Sequence, residues 1–259
     1  MKTILLSILL FSNTLLSFDV NVKSLDNKTP ERVLYIGNSY LYYNDSLHNH
    51  VRRMLEEKYL KEVDTNNYKM VTISGSRLSH HNIDHSLDYS KLGAEKSFEL
   101  VILQGGSGET NSPLERKVFA DKASEMIQKI HKAGAEAALY MIHAYVEPHE
   151  NSNPQMIKDI KKMYIDVGNK NNILVIPVGI AFENAYYADP NIKLHKEYDG
   201  SHPSLLGTYL AACVVYSSIT QESPKEISYN YFDNISDEHK SFLQEIAHET
   251  IENFYDIEL

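Results

Sequence analysis

At 259 residues the chain is long enough for one sizeable α/β domain, and its 42% hydrophobic and 23% charged content is ordinary for a soluble globular protein. A formal net charge of −10 and a pI near 5.6, with no run of Lys or Arg, argue against a general binder of nucleic acid or of anionic membranes. The single cysteine, Cys213, excludes an intramolecular disulfide, and its apolar neighbours make it a small buried residue.

Lys2 is followed by an apolar run from Ile4 to Phe11 that persists to Leu16. A lone positive charge before such a run reads as a secretory signal peptide over 1–18, shorter than the ~20 residues expected of a spanning helix, with an uncleaved membrane anchor as the alternative. Cleavage is expected near Ser17 or Phe18, and no cysteine follows that could carry a lipid anchor. Export without disulfides fits a secreted or periplasmic bacterial protein with no stable membrane association after cleavage. Residues 19–31 are polar and irregular and read as a tether to one domain over 32–259.

Five apolar runs of strand length follow: Arg32 to Gly37, Lys69 to Ser74, Glu99 to Gln104, Ala137 to His143 and Asn172 to Val178. They lack clean alternation, as strands buried on both faces do. Helical patterns lie between them. Asp45 or Ser46 is placed to cap a helix carrying Leu47, Val51, Met54 and Leu55 at helical spacing. Residues 113–133 predict a second helix, with Val118, Met126, Ile127 and Ile130 inward and Gly134 at its end, and residues 155–168 a third. Pro203 fits the first turn of a fourth, and Phe242, Ile246 and Ile251 mark a C-terminal helix. Strand–helix alternation of this kind predicts a mainly parallel sheet with helices on both faces.

Two motifs carry chemistry. Gly37-Asn38-Ser39 leaves the first strand, and Asp199-Gly200-Ser201-His202-Pro203 stands near the far end of the chain. Together they supply the hydroxyl, imidazole and carboxylate that acyl transfer by a serine nucleophile requires. In doubly wound sheets ligands bind beyond the carboxyl ends of the strands. Ser39, Gly75, Gln104 and His143 all lie at or just after such ends, and His202 arrives separately before a helix. The Gly-x-Ser-x-Gly elbow of α/β-hydrolases is absent around Ser39, and Asp199 and His202 must share one turn.

In this order of motifs, from about Val33 to Thr220, the chain resembles the SGNH (GDSL-type) serine hydrolase superfamily. Gly37-Asn38-Ser39 matches the nucleophile block, with Asn38 where many members have aspartate. Gly75 matches the glycine block, and Asp199 and His202 the final block. The third block departs, because Gln104 stands where the family has asparagine. Gly-Asn-Ser first and Leu-Gln-x-x-Ser third are similar to an uncharacterised bacterial branch. The resemblance implies a flavodoxin-like three-layer α/β/α sandwich on a five-stranded sheet. It also implies Ser39 as nucleophile, His202 as general base and acid, and Asp199 as its orienting carboxylate, with no metal or cofactor. The N–H groups of Ser39 and Gly75 and the Gln104 amide would form the oxyanion hole.

The substrate this implies is a small acyl ester, acetyl by preference, on a small alcohol or a glycan. Asn38, Tyr40 and His143 are candidates for the substrate pocket. Tyr40, Tyr42 and Tyr43 crowd the segment after Ser39 and read first as packing of the strand–helix junction. Glu147 and His149 follow the fourth strand with His143. His81 and His85 have the i, i+4 spacing of metal ligands, but with His80 and Asp84 they read as a solvated loop. A non-catalytic carbohydrate-binding protein on the same fold, motivated by Gln104 and the unusual first block, is the alternative. Acyl transfer to another hydroxyl would use the same triad.

Overall fold

The computed structural model describes residues 19–59 and 67–259, so the signal-peptide reading lies outside the described residues. All strand pairs are parallel, in the order β2-β1-β3-β4-β5, where β1 is Val33–Gly37, β2 Tyr68–Thr72, β3 Leu100–Gln104, β4 Glu136–Tyr140 and β5 Leu174–Ile176. Gly37 pairs with Thr72 and Gln104 with Tyr140, so the carboxyl ends of four strands share one edge. β1, β3 and β5 are buried throughout, which explains their unbroken apolar runs. β2 is only half-buried beyond Tyr68, because it forms an outer edge of the sheet.

Eight α-helices accompany the sheet among the described residues. On one face α2 (Leu47–Lys58), α7 (Leu205–Thr220) and α8 (Asp237–Tyr255) pack together, and on the other α3 (Ile83–Leu87), α4 (Pro113–Lys132) and α5 (Met156–Asn171). Crossovers leaving β1 towards β2 and β3 towards β4 run in opposite directions, so the right-handed rule sends their helices to opposite faces. The result is the three-layer α/β/α sandwich that the alternation predicts. α7 is buried on every side from Gly207 to Thr220, as a helix apolar all round must be.

Several boundaries differ from the sequence reading. The fifth strand stops at Ile176, and Val178 instead opens α6 (Val178–Ala188), whose apolar first turn continues the strand's composition. Ile142 and His143 lie beyond β4, and the Ile142 carbonyl would stand 2.1 Å from a Cβ on Gly179. Pro203 is not in the first turn of α7. Ser204 is the cap, its hydroxyl accepting the Gly207 N–H, while Pro203 bridges His195 in extended backbone. On α4, Val118 faces solvent and Phe119 and Ala123 join Met126, Ile127 and Ile130 inside. Ser46 stands at the N-cap of α2, but its hydroxyl donates back to the Tyr42 carbonyl and Asp45 pairs with Arg53.

The segment 19–31 is irregular, yet it lies against the domain rather than standing off as a tether. Val20 and Leu25 are buried, the N–H groups of Asp26 and Asn27 donate to the Glu136 carboxylate, and that of Glu31 donates to Glu99. These anchors sit at the amino-terminal ends of β4 and β3.

Candidate active site

The chain leaves β1 through Gly37 and turns at once into a single helical turn, α1 (Ser39–Tyr42). Asn38 caps it, its side-chain oxygen accepting the Tyr40 N–H at 3.1 Å, while its amide donates to the Ser76 carbonyl at 3.0 Å. Ser39 is therefore the first residue of the turn, where backbone N–H groups have no helical acceptor.

His202 and Asp199 meet Ser39 from the segment before α7. The Asp199 Oδ1 accepts the N–H groups of Ser201 at 2.8 Å and His202 at 3.0 Å, closing the Asp-x-x-His turn on itself. Its Oδ2 lies 2.6 Å from His202 Nδ1, and His202 Nε2 lies 2.9 Å from Ser39 Oγ. The carboxylate fixes the tautomer: Nδ1 carries the proton, and Nε2 is left to accept from the hydroxyl. Burial pushes the Asp199 carboxyl up, but the bonds from Ser201 and His202 together outweigh it and hold it below the usual range. Ser39, His202 and Asp199, named from sequence, are thus brought into one hydrogen-bonded chain.

Gly75 lies exposed at the third position of a turn closed by Ser76 N–H to the Ile73 carbonyl, with a φ of +64° that favours glycine. A Cβ added there would meet nothing within 4 Å.

Gln104 is a correction. Its side chain is buried, with Oε1 accepting the Asn38 N–H at 2.8 Å and Nε2 donating to the Gly105 carbonyl. Exchanging O and N would set two donors against each other, so the orientation is determined. The longer stem folds the amide back beneath Gly37, where a Cβ would meet Gln104 Oε1 at 2.3 Å. Gln104 supports the turn that carries Ser39, and both ends of its amide are committed to backbone groups rather than turned towards an oxyanion hole.

The three pocket candidates are corrected as well. Asn38, Tyr40 and His143 are buried at 3%, 3% and 0% exposure and offer no pocket surface. His143 is stacked between Tyr40 at 4.2 Å and Phe182 at 4.4 Å, and its Nε2 donates to the Ser201 carbonyl at 2.8 Å. Burial and the neighbouring His195 hold His143 well below the usual histidine range, so it is neutral. Of the tyrosines after Ser39, Tyr42 and Tyr43 are half-buried and stacked at 5.5 Å, and Tyr43 also stacks on His202 at 4.5 Å. His149 lies against the Tyr145 ring at 3.6 Å. His81 is buried rather than solvated, its Nε2 2.9 Å from Ser76 Oγ, whereas His80 and His85 are exposed.

The site also holds residues that the motifs do not single out. Ser201 bonds Tyr40, Asn44 reaches the Pro203 carbonyl at 3.0 Å, and Tyr198 stands 70% exposed beside Asp199. The neighbouring Tyr198 hydroxyl, together with burial, pushes the Tyr43 hydroxyl up to about 12. Behind the third block, Glu109 accepts the Gly106 N–H through Oε2, and burial pushes its carboxyl up to about 7. Ser201 and Tyr198 are legible only as neighbours of the Asp-x-x-His motif. Asn44 carries no local signal, since its partners at Pro203, Ser204 and Thr208 are distant in sequence, whereas Glu109 stands three residues after Gly106, the spacing of a capping box.

No family profile and no curated protein matches the chain. Solved structures do. A DUF4886-family protein from Bacteroides uniformis is 19% identical over 85% of this chain and 94% of its own, with a TM-score of 0.64. A candidate SGNH hydrolase from Slackia heliotrinireducens is 24% identical over 73% and 98%, at 0.56. The acetyl xylan esterase AlAXEase is 18% identical over 72% and 98%, also at 0.56. At these identities the likeness is one of fold, and the chain has the fold of the SGNH/GDSL-type hydrolase superfamily.

Proposed function

We propose that the protein is a serine esterase that hydrolyses a small acyl ester, acetyl by preference, from an alcohol such as a glycan hydroxyl. The observation that carries this reading is the continuous chain Ser39 Oγ, His202 Nε2, His202 Nδ1, Asp199 Oδ2, with links of 2.9 and 2.6 Å. Ser39 attacks the ester carbonyl carbon as its proton passes to His202 Nε2. The carbonyl oxygen becomes an oxyanion, for which the N–H groups of Ser39 and Gly75 are the donors this reading uses. The tetrahedral intermediate expels the alkoxide, which leaves as the alcohol with the proton from His202. Water then gives a proton to His202 and attacks the acyl carbon, and His202 returns that proton to Ser39 Oγ as the C–Oγ bond breaks and the carboxylic acid leaves.

An acetyl xylan esterase among the structural neighbours supports the acetyl and glycan preference, as do the tyrosine rings of Tyr43 and Tyr198 beside His202 and Asp199, which combine apolar faces with polar tips. Secretion through the N-terminal leader is part of the same proposal. The non-catalytic alternative rested on Gln104 and Asn38, and both have another task, supporting the turn that presents Ser39.

Labelling with a fluorophosphonate, followed by mass spectrometry, tests the reading. The expected result is one adduct on Ser39 in the wild type and none in Ser39→Ala. Release of acetate from p-nitrophenyl acetate should fall at least about 10³-fold in Ser39→Ala and His202→Ala. A folded wild type that neither labels nor turns over would overturn it.

A further inference from the structure

Two side chains from elsewhere in the chain converge on Ser201, a residue with no part in the proton path. Its hydroxyl lies 2.9 Å from the hydroxyl of Tyr40, and its carbonyl accepts from His143 Nε2 at 2.8 Å. Tyr40 follows the nucleophile and Ser201 precedes the base. The bond between Tyr40 and Ser201 therefore runs beside the bond between Ser39 and His202, joining the same two segments a second time. Asn44, two residues beyond α1, adds a third link, its amide 3.0 Å from the Pro203 carbonyl. The carbonyls on both sides of His202 are thus held by side chains from elsewhere.

This buried polar cluster has a cost that packing alone does not explain. Tyr40 and His143 are almost fully enclosed and stacked on one another, a position that phenylalanine rings would fill without a polar group to satisfy. What the Tyr40 hydroxyl and His143 Nε2 accomplish is to fix Ser201. The Ser39–His202 bond cannot itself be permanent, since acylation consumes the Ser39 hydroxyl and its proton moves to His202. The Tyr40–Ser201 bond takes no part in proton transfer and can persist through the acyl-enzyme.

We propose that Tyr40 and Ser201 are positioning residues whose hydroxyl–hydroxyl bond, seated on His143, keeps the imidazole of His202 in register with Ser39 while the Ser39–His202 bond is broken. This rests on the serine-esterase reading. The bond bears on how long the base dwells in its productive place and makes no contact with substrate. Its loss therefore lowers kcat and leaves KM unchanged where acylation and deacylation slow together.

A double-mutant cycle in the full mature protein tests the proposal. Tyr40→Phe removes only the hydroxyl and keeps the ring on His143, and Ser201→Ala removes the partner. Each single variant should lower kcat on p-nitrophenyl acetate, and the rate of fluorophosphonate labelling, by about tenfold. The double variant should be no slower than the slower single, and Ser201→Thr should recover most of the rate. Melting temperatures and circular dichroism show whether each variant folds. Wild-type kcat in folded Tyr40→Phe, or single effects that multiply in the double variant, would overturn the inference while leaving the esterase reading intact. A wild type without turnover or labelling would instead sink that reading. Proton NMR of His202 Nδ1–H then still decides the structural claim. The resonance should be sharp and downfield in the wild type and broadened in both single variants; an unchanged resonance would refute it.

Discussion

Gln104 commits both ends of its amide to the backbone around the nucleophile, and Gly37 is the residue that makes room for it. A Cβ at position 37 would stand 2.3 Å from Gln104 Oε1 and 2.8 Å from Leu41 Cδ1, so the amide has to move. Gly37→Ala should therefore cost on the order of 1–3 kcal/mol, as overpacking of a filled core does. Because the displaced amide no longer accepts the Asn38 N–H, labelling of Ser39 should slow as well, and comparing the labelling rate with the melting temperature separates the two effects. The identities of Ser39, His202 and Asp199 were legible in the sequence, since hydroxyl, imidazole and carboxylate each stand in a short motif beside a predicted element. The direction in which Gln104 points was not. One extra methylene does not say whether an amide reaches forward to a ligand or folds back under a glycine 67 positions earlier. The burial of His143 was hidden for the same reason, since it is covered by Tyr40 and Phe182, both far away in the chain, whereas the packing of Tyr40 is the reading the sequence favours.

At the scale of elements, the Asp199–His202 turn is braced by the segment after β4. Val146 N–H donates to the Gly200 carbonyl at 2.9 Å, and a Cβ on Gly200 would stand 2.0 Å from the Val146 carbonyl. Its φ of +62° also disfavours any side chain. Gly200→Ala should push the two segments apart and lower kcat by at least about tenfold, which a displacement of the base of even an ångström would produce. An active-site titration would show whether the loss falls on every molecule or on a misfolded fraction. The alternation of strands and helices was readable because buried parallel strands and amphipathic helices differ in period. Where the composition runs on unchanged, as from β5 into α6, no period marks the border and Pro177 is the only punctuation. α7 starts two residues later than a first-turn Pro203 predicts, because the Ser204 hydroxyl accepts the Gly207 N–H and caps the helix there.

For the whole molecule, buried histidines set the response to acid. Burial holds His48, His50, His143 and His195 below the ordinary 6.5, with His48 and His195 down to about 4. The unfolded chain takes up protons below pH 6.5 that the folded chain refuses, so the stability these groups confer is present above 6.5 and lost as pH falls towards 4. For His195 alone the loss is on the order of 3 kcal/mol. Glu109 acts in the opposite sense, because its folded value near 7 lies above the ordinary 4.5 and its contribution disappears as pH rises between them. Melting temperature should therefore climb from about pH 4.5 to about pH 6.5, and Glu109→Gln should gain on the wild type between about pH 5 and pH 8; a flat wild-type profile would contradict the first expectation and a constant gap the second. Finally, the residues that strap the segment 19–31 to Glu99 and Glu136 hold it at the amino-terminal ends of the strands, whereas Ser39 and His202 lie beyond the carboxyl ends. The segment 19–31 thus lies at one pole and the proposed site at the other. A bead, a sensor chip or a fused carrier joined ahead of residue 19 would display the molecule with Ser39 and His202 turned away from the support.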